Sequence, residues 1–255
     1  MKFRIFLSIV LLSVTLNADA QRVVWSRFKF GIQASPTMSW LKTDNQKIRS
    51  NGFNLGLKLG ATADYYFLEN YALSTGIGFG FNHGGKLSHE IGGNFLANSI
   101  LSDARYNTKG KPLPDQVKIR YHIQYVEIPL ALKMRTQQFG YMRYFAQAPI
   151  INLGWRTQAR GDVYAEKFDL KKENIKQDVN PLAISWGFGG GLEYDVSPST
   201  SIVGGLYFQK GFFDTTKNKN NYSIEELSSQ VFGPEMKEDS KAILNAITLR
   251  IGVIF

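Results

Sequence analysis

Cysteine is absent from the 255 residues, which excludes disulfides, zinc–thiolate sites, iron–sulfur clusters, a cysteine nucleophile and the acylated N-terminal cysteine of a bacterial lipoprotein. Packing and hydrogen bonds alone must stabilise the fold. Long hydrophobic runs are missing as well. Beyond the N-terminus no stretch approaches the roughly 18 to 20 apolar residues of a membrane-spanning helix, so a helical membrane protein is excluded. Charged residues are few, 20% against 44% hydrophobic and 13% aromatic, a balance that excludes disorder for most of the chain. The charge that exists is basic, 30 Lys and Arg against 21 Asp and Glu, but it is scattered rather than gathered into a stripe. Nucleic acid is therefore not an expected partner.

The opening residues differ from the rest. Lys2 and Arg4 form a short positive segment, residues 5–12 an apolar stretch broken only by Ser8, and Ala18-Asp19-Ala20 a small-x-small pattern. This is the order of a secretory signal peptide over residues 1–20, leaving residues 21–255 as a single domain that works outside the cytoplasm.

From residue 52 to 65 the chain alternates without a break. Phe53, Leu55, Leu57, Leu59, Ala61, Ala63 and Tyr65 share one face, and Gly52, Asn54, Gly56, Lys58, Gly60, Thr62 and Asp64 the other. A period of two sustained this long predicts a strand, longer than soluble strands usually are. The pattern returns in Leu73, Thr75, Ile77, Phe79 and Phe81, in Ile184, Trp186, Phe188 and Leu192, and in Ile247, Leu249, Ile251, Val253 and Phe255. Weaker versions lie at 27–39 and 201–213. Residues 119–134 are apolar first at odd and then at even positions, which predicts a β-bulge near Tyr125. Residues 141–155 are apolar on both parities and complete a count of eight strands.

Connections alternate in length. Those at 67–70, 135–140 and 196–199 are tight, those at 84–117, 156–181 and 214–241 are long and polar, and 41–51 is intermediate. Short turns at one end and long loops at the other are the asymmetry of an outer-membrane barrel, with periplasmic turns and extracellular loops.

Two eight-stranded architectures share this pattern, and they differ in which face is apolar. A soluble ligand-binding barrel points bulky apolar side chains inward, and a membrane barrel points them at lipid. The small, Gly-rich face decides for the membrane barrel, because the narrow lumen of eight strands must be filled without crowding. The expected fold is an all-β, eight-stranded antiparallel transmembrane β-barrel, integral to the outer membrane and surrounded by its lipid. Lys58, Asp64, Glu127, Lys133, Glu193, Asp195 and Arg250 fall on the small face and are expected to pair across the lumen as a plug, closing any wide pore. Tyr65, Tyr66, Phe67, Tyr71, Tyr141, Tyr194 and Phe255 are expected to form one interfacial girdle, and Trp40, Trp155, Phe212 and Phe213 the other. The terminal Phe255 resembles the signal by which barrel-assembly machinery recognises its clients.

No reaction chemistry emerges. Gly76-x-Gly78-x-Gly80 and Gly187-x-Gly189-Gly190-Gly191 open no helix, so they predict lumen-facing strand glycines rather than a phosphate cradle. His83, His89 and His122 lack a spaced acid and nucleophile and are expected in exposed loops. No catalytic, cofactor or metal residue is assigned.

The chain resembles the PorT-type outer-membrane β-barrel family of Bacteroidetes, associated with type IX secretion and gliding motility. The resemblance rests on Phe30-Gly31-Ile32, on Gln124-Tyr125-Val126-Glu127-Ile128-Pro129-Leu130 with Lys133 following, on Arg143-Tyr144-Phe145, and on residues 186–194 (Trp186-Gly187-Phe188-Gly189-Gly190-Gly191-Leu192-Glu193-Tyr194). It implies a non-catalytic accessory or assembly component of protein secretion with partners in that machinery. In that reading Glu127 and Lys133 hold the lumen together, and Pro129 lies in a bulged strand. The alternative is a surface barrel that binds an external ligand or host molecule through its long loops.

Overall fold

The computed structural model describes residues 27–255 apart from 104–105, 107–111, 167, 218, 220 and 228–230. The expected signal peptide lies outside the described residues. In chain order the strands are β1 (Phe28–Thr43), β2 (Ile48–Leu68), β3 (Tyr71–His89), β4 (Gly93–Asn94), β5 (Lys118–Arg135), β6 (Met142–Ala165), β7 (Phe168–Asn174), β8 (Leu182–Asp195), β9 (Ser201–Asp214), β10 (Tyr222–Leu227), β11 (Val231–Lys237) and β12 (Ala242–Ile254). β1, β2, β3, β5, β6, β8, β9 and β12 pair in that order, each antiparallel to the next, and β12 returns to β1. The ring of eight is closed. β7 adds to the outer part of β6, and β11, β10 and β4 form a separate three-stranded sheet among the long loops.

The alternation expected from the sequence sets the two surfaces. Ile32, Leu55, Ile77, Ile128, Leu206 and Leu249 are exposed on the outer wall, Leu55 at 70%, whereas Asn54, Lys58, Asp64, Lys133, Glu193 and Arg250 on the same set of strands are buried inside. An apolar exterior of this extent has no place in water and matches acyl chains. Leu55, Phe79 and Leu249 are exposed and so line no internal cavity.

Toward the long-loop end the preference reverses. Leu87, Ile119, Tyr121, Ile123, Ala159 and Val163 point inward and pack with Phe95, Leu96, Leu101 and Leu113 from the loop between β3 and β5. This part of the barrel is organised as a water-soluble protein is, because beyond the bilayer the outer wall meets water and apolar side chains must turn in. Parts of the segments expected as loops at 84–117 and 156–181 are accordingly strand: β3 runs on to His89, β6 to Ala165, and β7 pairs beside it.

The bulge expected near Tyr125 is not on that strand. β5 buries odd residues on both sides of it, Ile119, Tyr121, Ile123 and Tyr125 and then Ala131 and Lys133. Its hydrophobicity changes phase because its inner side passes from outer core to polar lumen. The extra residues lie on both neighbours: Gly80 and His83 of β3 oppose Tyr125 and Ile123, with Asn82 at φ 60 between them, and Gln158 and Arg156 of β6 oppose Gln124 and Tyr125. Around Pro129 the β3 pairs Thr75↔Leu130 and Gly78↔Glu127 keep one register, so Pro129 sits in an unbulged strand. β6 carries a second irregularity between Gln147 and Ile150. Its buried residues therefore switch from Phe145 and Gln147 to Ile150, Asn152 and Arg156, then to Ala159 and Val163. The first of these switches is why residues 141–155 are apolar on both parities.

Candidate functional site: the barrel interior and its closures

Inward positions on β2, β5 and β8 bring three charges together near the short-turn end. Lys133 Nζ lies 2.6 Å from Asp64 Oδ2 and also pairs with Glu193, and Ser74 donates to Asp64 at 2.5 Å. The ammonium stands 5.1 Å from the Phe145 ring centre and 5.9 Å from that of Tyr66. Tyr66, expected in the interfacial girdle, is buried and points inward, where Arg135 also stacks on its ring at 4.0 Å. Ala131, Phe145, Ile150, Val203, Tyr207 and Ile254 pack around this cluster and close the lower lumen.

One level further out, Lys58 Nζ donates to Glu127 and to Gln209, each at 2.8 Å. Arg250 is buried and donates to the Tyr207 hydroxyl at 3.2 Å and to Gln147 and Thr62 at 3.4 Å. Asp195 lies apart from the others, near the short-turn rim, where it accepts from Arg143 at 2.5 Å and from Ser201 at 2.6 Å. The seven charges thus divide into a Lys133 triad, a Lys58–Glu127 pair, a neutral-partnered Arg250, and Asp195, whose rim partner Arg143 is an eighth. The neutral partners Gln147, Tyr207 and Gln209 escape sequence reasoning, because only the closed ring brings β6 and β9 across the lumen from β2 and sets β9 beside β12.

Small chambers of about 80 Å³ and 40 Å³, lined by a mixture of polar and apolar side chains, lie among the described residues of the lumen. Lys58, Glu127, Asn152 and Gln209 belong to the walls of both, so the ion pair stands between them. Volumes of this size hold a few waters and match a filled eight-stranded lumen. The outer chamber lies against the apolar outer core, which contains Ile123 and Tyr125.

Two lumen glycines are required by close approach. A Cβ on Gly189 would lie 2.2 Å from the Tyr207 ring, and one on Gly80 2.7 Å from the His83 imidazole. Gly189→Ala is expected to destabilise the barrel by about 1–3 kcal/mol through overpacking, measured as a shift in the urea midpoint in lipid vesicles. An unchanged midpoint would show that Tyr207 has somewhere else to go. Gly190, by contrast, faces outward and does not line the lumen, since its neighbours Gly189 and Gly191 occupy the inward parity between buried Gly187 and Glu193.

The histidines differ from their expected exposure. His83 is 1% exposed beside Tyr125, and His89 is buried and stacked on Phe95 at 4.0 Å. Each follows the inward parity that Asn82 establishes on β3. His122 is partly exposed, its Nε2 3.0 Å from Asp162 and its Nδ1 2.5 Å from the Asn82 side-chain oxygen. Among the described residues these two oxygens are its hydrogen-bond partners, so the arrangement ties β3, β5 and β6 together and holds no nucleophile. Among the described residues no group of three or more His, Asp or Glu is placed to hold a metal.

The outer cap is polar where it is not part of the core. Asp178 accepts from the backbone and side chain of Asn98 at 3.0 and 2.8 Å and from Ser99. In the connection to β12, burial raises the Glu238 carboxyl above its ordinary range, and hydrogen bonds from Ser240 hold it down in part.

Among solved structures, the chain is similar to a major outer membrane protein from Thermus thermophilus, at 13% identity over 89% of this chain and 98% of that one, TM-score 0.41. Neisserial surface protein A matches at 12% identity over 90% and 96%, TM-score 0.39, and the attachment invasion locus protein Ail of Yersinia pestis at 10% over 89% and 97%, TM-score 0.34. No curated protein matches. The model of the outer membrane protein beta-barrel domain family matches residues 17–224. With a closed ring of eight strands, an apolar outer wall and a polar lumen, this chain belongs to the outer membrane protein beta-barrel domain family and is integral to the outer membrane.

Proposed function

We propose that the protein is a non-catalytic accessory or assembly component of type IX protein secretion, of the PorT type, delivered by a signal peptide at residues 1–20. The single observation that carries this reading is the filled interior. With a charged cluster below, a Lys58–Glu127 pair in the middle and an apolar core above, the barrel offers no route for a polypeptide, so it must act through its surfaces. Lys58, Asp64, Glu127, Lys133, Glu193 and Arg250 serve as the plug, with Asp195 fastening the rim. The residue pattern around Glu127 and Lys133 and along β8 supports the secretion role, and the partners are then proteins of that machinery.

Deleting the protein should leave unprocessed cargo in the periplasm while the outer membrane stays sealed. Normal export in the deletion strain would remove the reading. The purified barrel is expected to produce no steady conductance steps in planar bilayers, and reproducible steps would contradict a plugged lumen.

A second reading is a surface barrel that binds an external molecule through its outer cap. It is favoured by the order of that cap, where β4, β10 and β11 form a sheet and Asn221 donates to Phe95 at 3.1 Å. Deleting the β10–β11 hairpin would then abolish binding to the external molecule and spare secretion.

A further inference from the structure

The outer wall has a sharply ordered composition on one side. On β3, β5 and β6 the outward residues are apolar first, Phe79, Ile128 and Trp155, then amides, Gln124 and Gln158, and then cations. Lys86 pairs in register with Arg120 across β3 and β5, His122 opposes Arg160, and Lys118 opposes Tyr164 on β6. Four cations thus share three adjacent strands. All remain at least partly exposed, and Lys86 Nζ rests 5.2 Å from the Tyr164 ring centre.

Two nearby carboxylates, Asp162, which faces Arg120 in register, and Glu90, are already committed. Asp162 is held by His122, by the Tyr164 hydroxyl at 3.2 Å and by the Lys172 backbone amide at 2.8 Å, and Glu90 is paired with Arg49 at 2.6 Å. Among the described residues none of the four cations has an ion-pair partner. Arg120 uses Nε on Asn54 at 2.9 Å and Nη2 on the Phe53 carbonyl at 3.1 Å, which fixes its guanidinium and leaves Nη1 available. Gln124 and Gln158 add neutral amides beside the cations, the Gln158 oxygen accepting from Arg160 at 3.0 Å.

We propose that this wall is a binding surface for the phosphorylated headgroup of an outer-leaflet lipid. The patch is continuous with the lipid-facing apolar band and begins where that band ends, which is the level of lipid headgroups. A lipid whose chains lie along Phe79, Ile128 and Trp155 carries its phosphate to these side chains. Arg suits phosphate through two parallel donors and Lys through a point charge. Each basic residue near an anionic surface strengthens such binding roughly fivefold. The inference stands apart from any role in secretion.

The test uses the full mature barrel in zwitterionic detergent, titrated with lipid A, with dephosphorylated lipid A and with heparin, and read by native mass spectrometry. Saturable binding of lipid A is expected, with the dephosphorylated lipid much weaker. Lys86→Gln/Lys118→Gln/Arg120→Gln/Arg160→Gln should weaken it by nearly three orders of magnitude, and Lys210→Gln on β9 should leave it unchanged. Because Arg120 also braces Asn54, Lys86→Gln/Arg160→Gln serves as a second variant, and heat-modifiability on a gel verifies that each folds. Equal binding of the dephosphorylated lipid, or of the folded variants, overturns the proposal. Heparin competing as strongly as lipid A also overturns it, in favour of a soluble polyanion.

Discussion

Lys133→Met is expected to cost the barrel about 3–5 kcal/mol. The ammonium is 1% exposed and faces two carboxylates, Asp64 and Glu193, that are about as deeply buried. Removing it leaves two like charges in a confined interior, and their remaining donors, such as Ser74, are too weak to replace a cation. Met keeps the length of the side chain, so the effect reads charge rather than a cavity. Adding Asp64→Asn and Glu193→Gln removes the stranded charges and should return stability to within about 1 kcal/mol of the parent, since a buried ion network and a neutral one of equal volume are often nearly isoenergetic. Urea unfolding in phosphatidylcholine vesicles measures both. A single variant as stable as the parent would mean that water reaches the cluster.

The second large effect tests the direction in which the wall faces. Ile128→Arg places a cation on the outward side of β5 within the apolar band and should cost about 2–4 kcal/mol, read in the same vesicle unfolding assay. Ile128 is 51% exposed, so on a water-soluble barrel the same change would be nearly silent. Gln124→Arg, on the same face of the same strand but beyond the band, is expected to stay within about 0.5 kcal/mol. Ile123→Arg, one residue further along and fully buried in the outer core, should fail to fold because it buries a cation without a partner. This sequence of harmful, tolerated and harmful is specific to a strand that leaves lipid for water while keeping one inward parity. A silent Ile128→Arg would remove the bilayer from the description.

Much of this was legible in the residues. The runs through Leu55 and Lys58, through Ile77 and through Leu249 and Arg250 are long and regular, so strand, face and sidedness all follow from them. The outer part was not legible in the same way. Tyr121 and Ile123 are apolar inward for the same reason that Ile128 and Leu130 are apolar outward, namely that each meets a nonaqueous neighbour, and a sequence does not mark where lipid ends. The phase change in β5 therefore imitated a bulge, while the real bulges at Asn82 and in β6 lay on the strands beside it. His83 and His89 were misplaced for the same reason, since one residue in left-handed conformation re-aims everything after it.

Alternation is a local property of an extended backbone, set by each residue's own bond geometry. The order of residues alone therefore dictates that the chain is made of strands, that eight of them form the ring, and that the greasy side faces out. Partnership is nonlocal. That Lys133 meets both Asp64 and Glu193, that Asp195 goes to Arg143 instead, and that the loop carrying Phe95 and Leu113 fills the mouth were settled when the ring closed. Which residues face each other across a barrel depends on the stagger of every strand in between, and no segment of the chain carries that information alone.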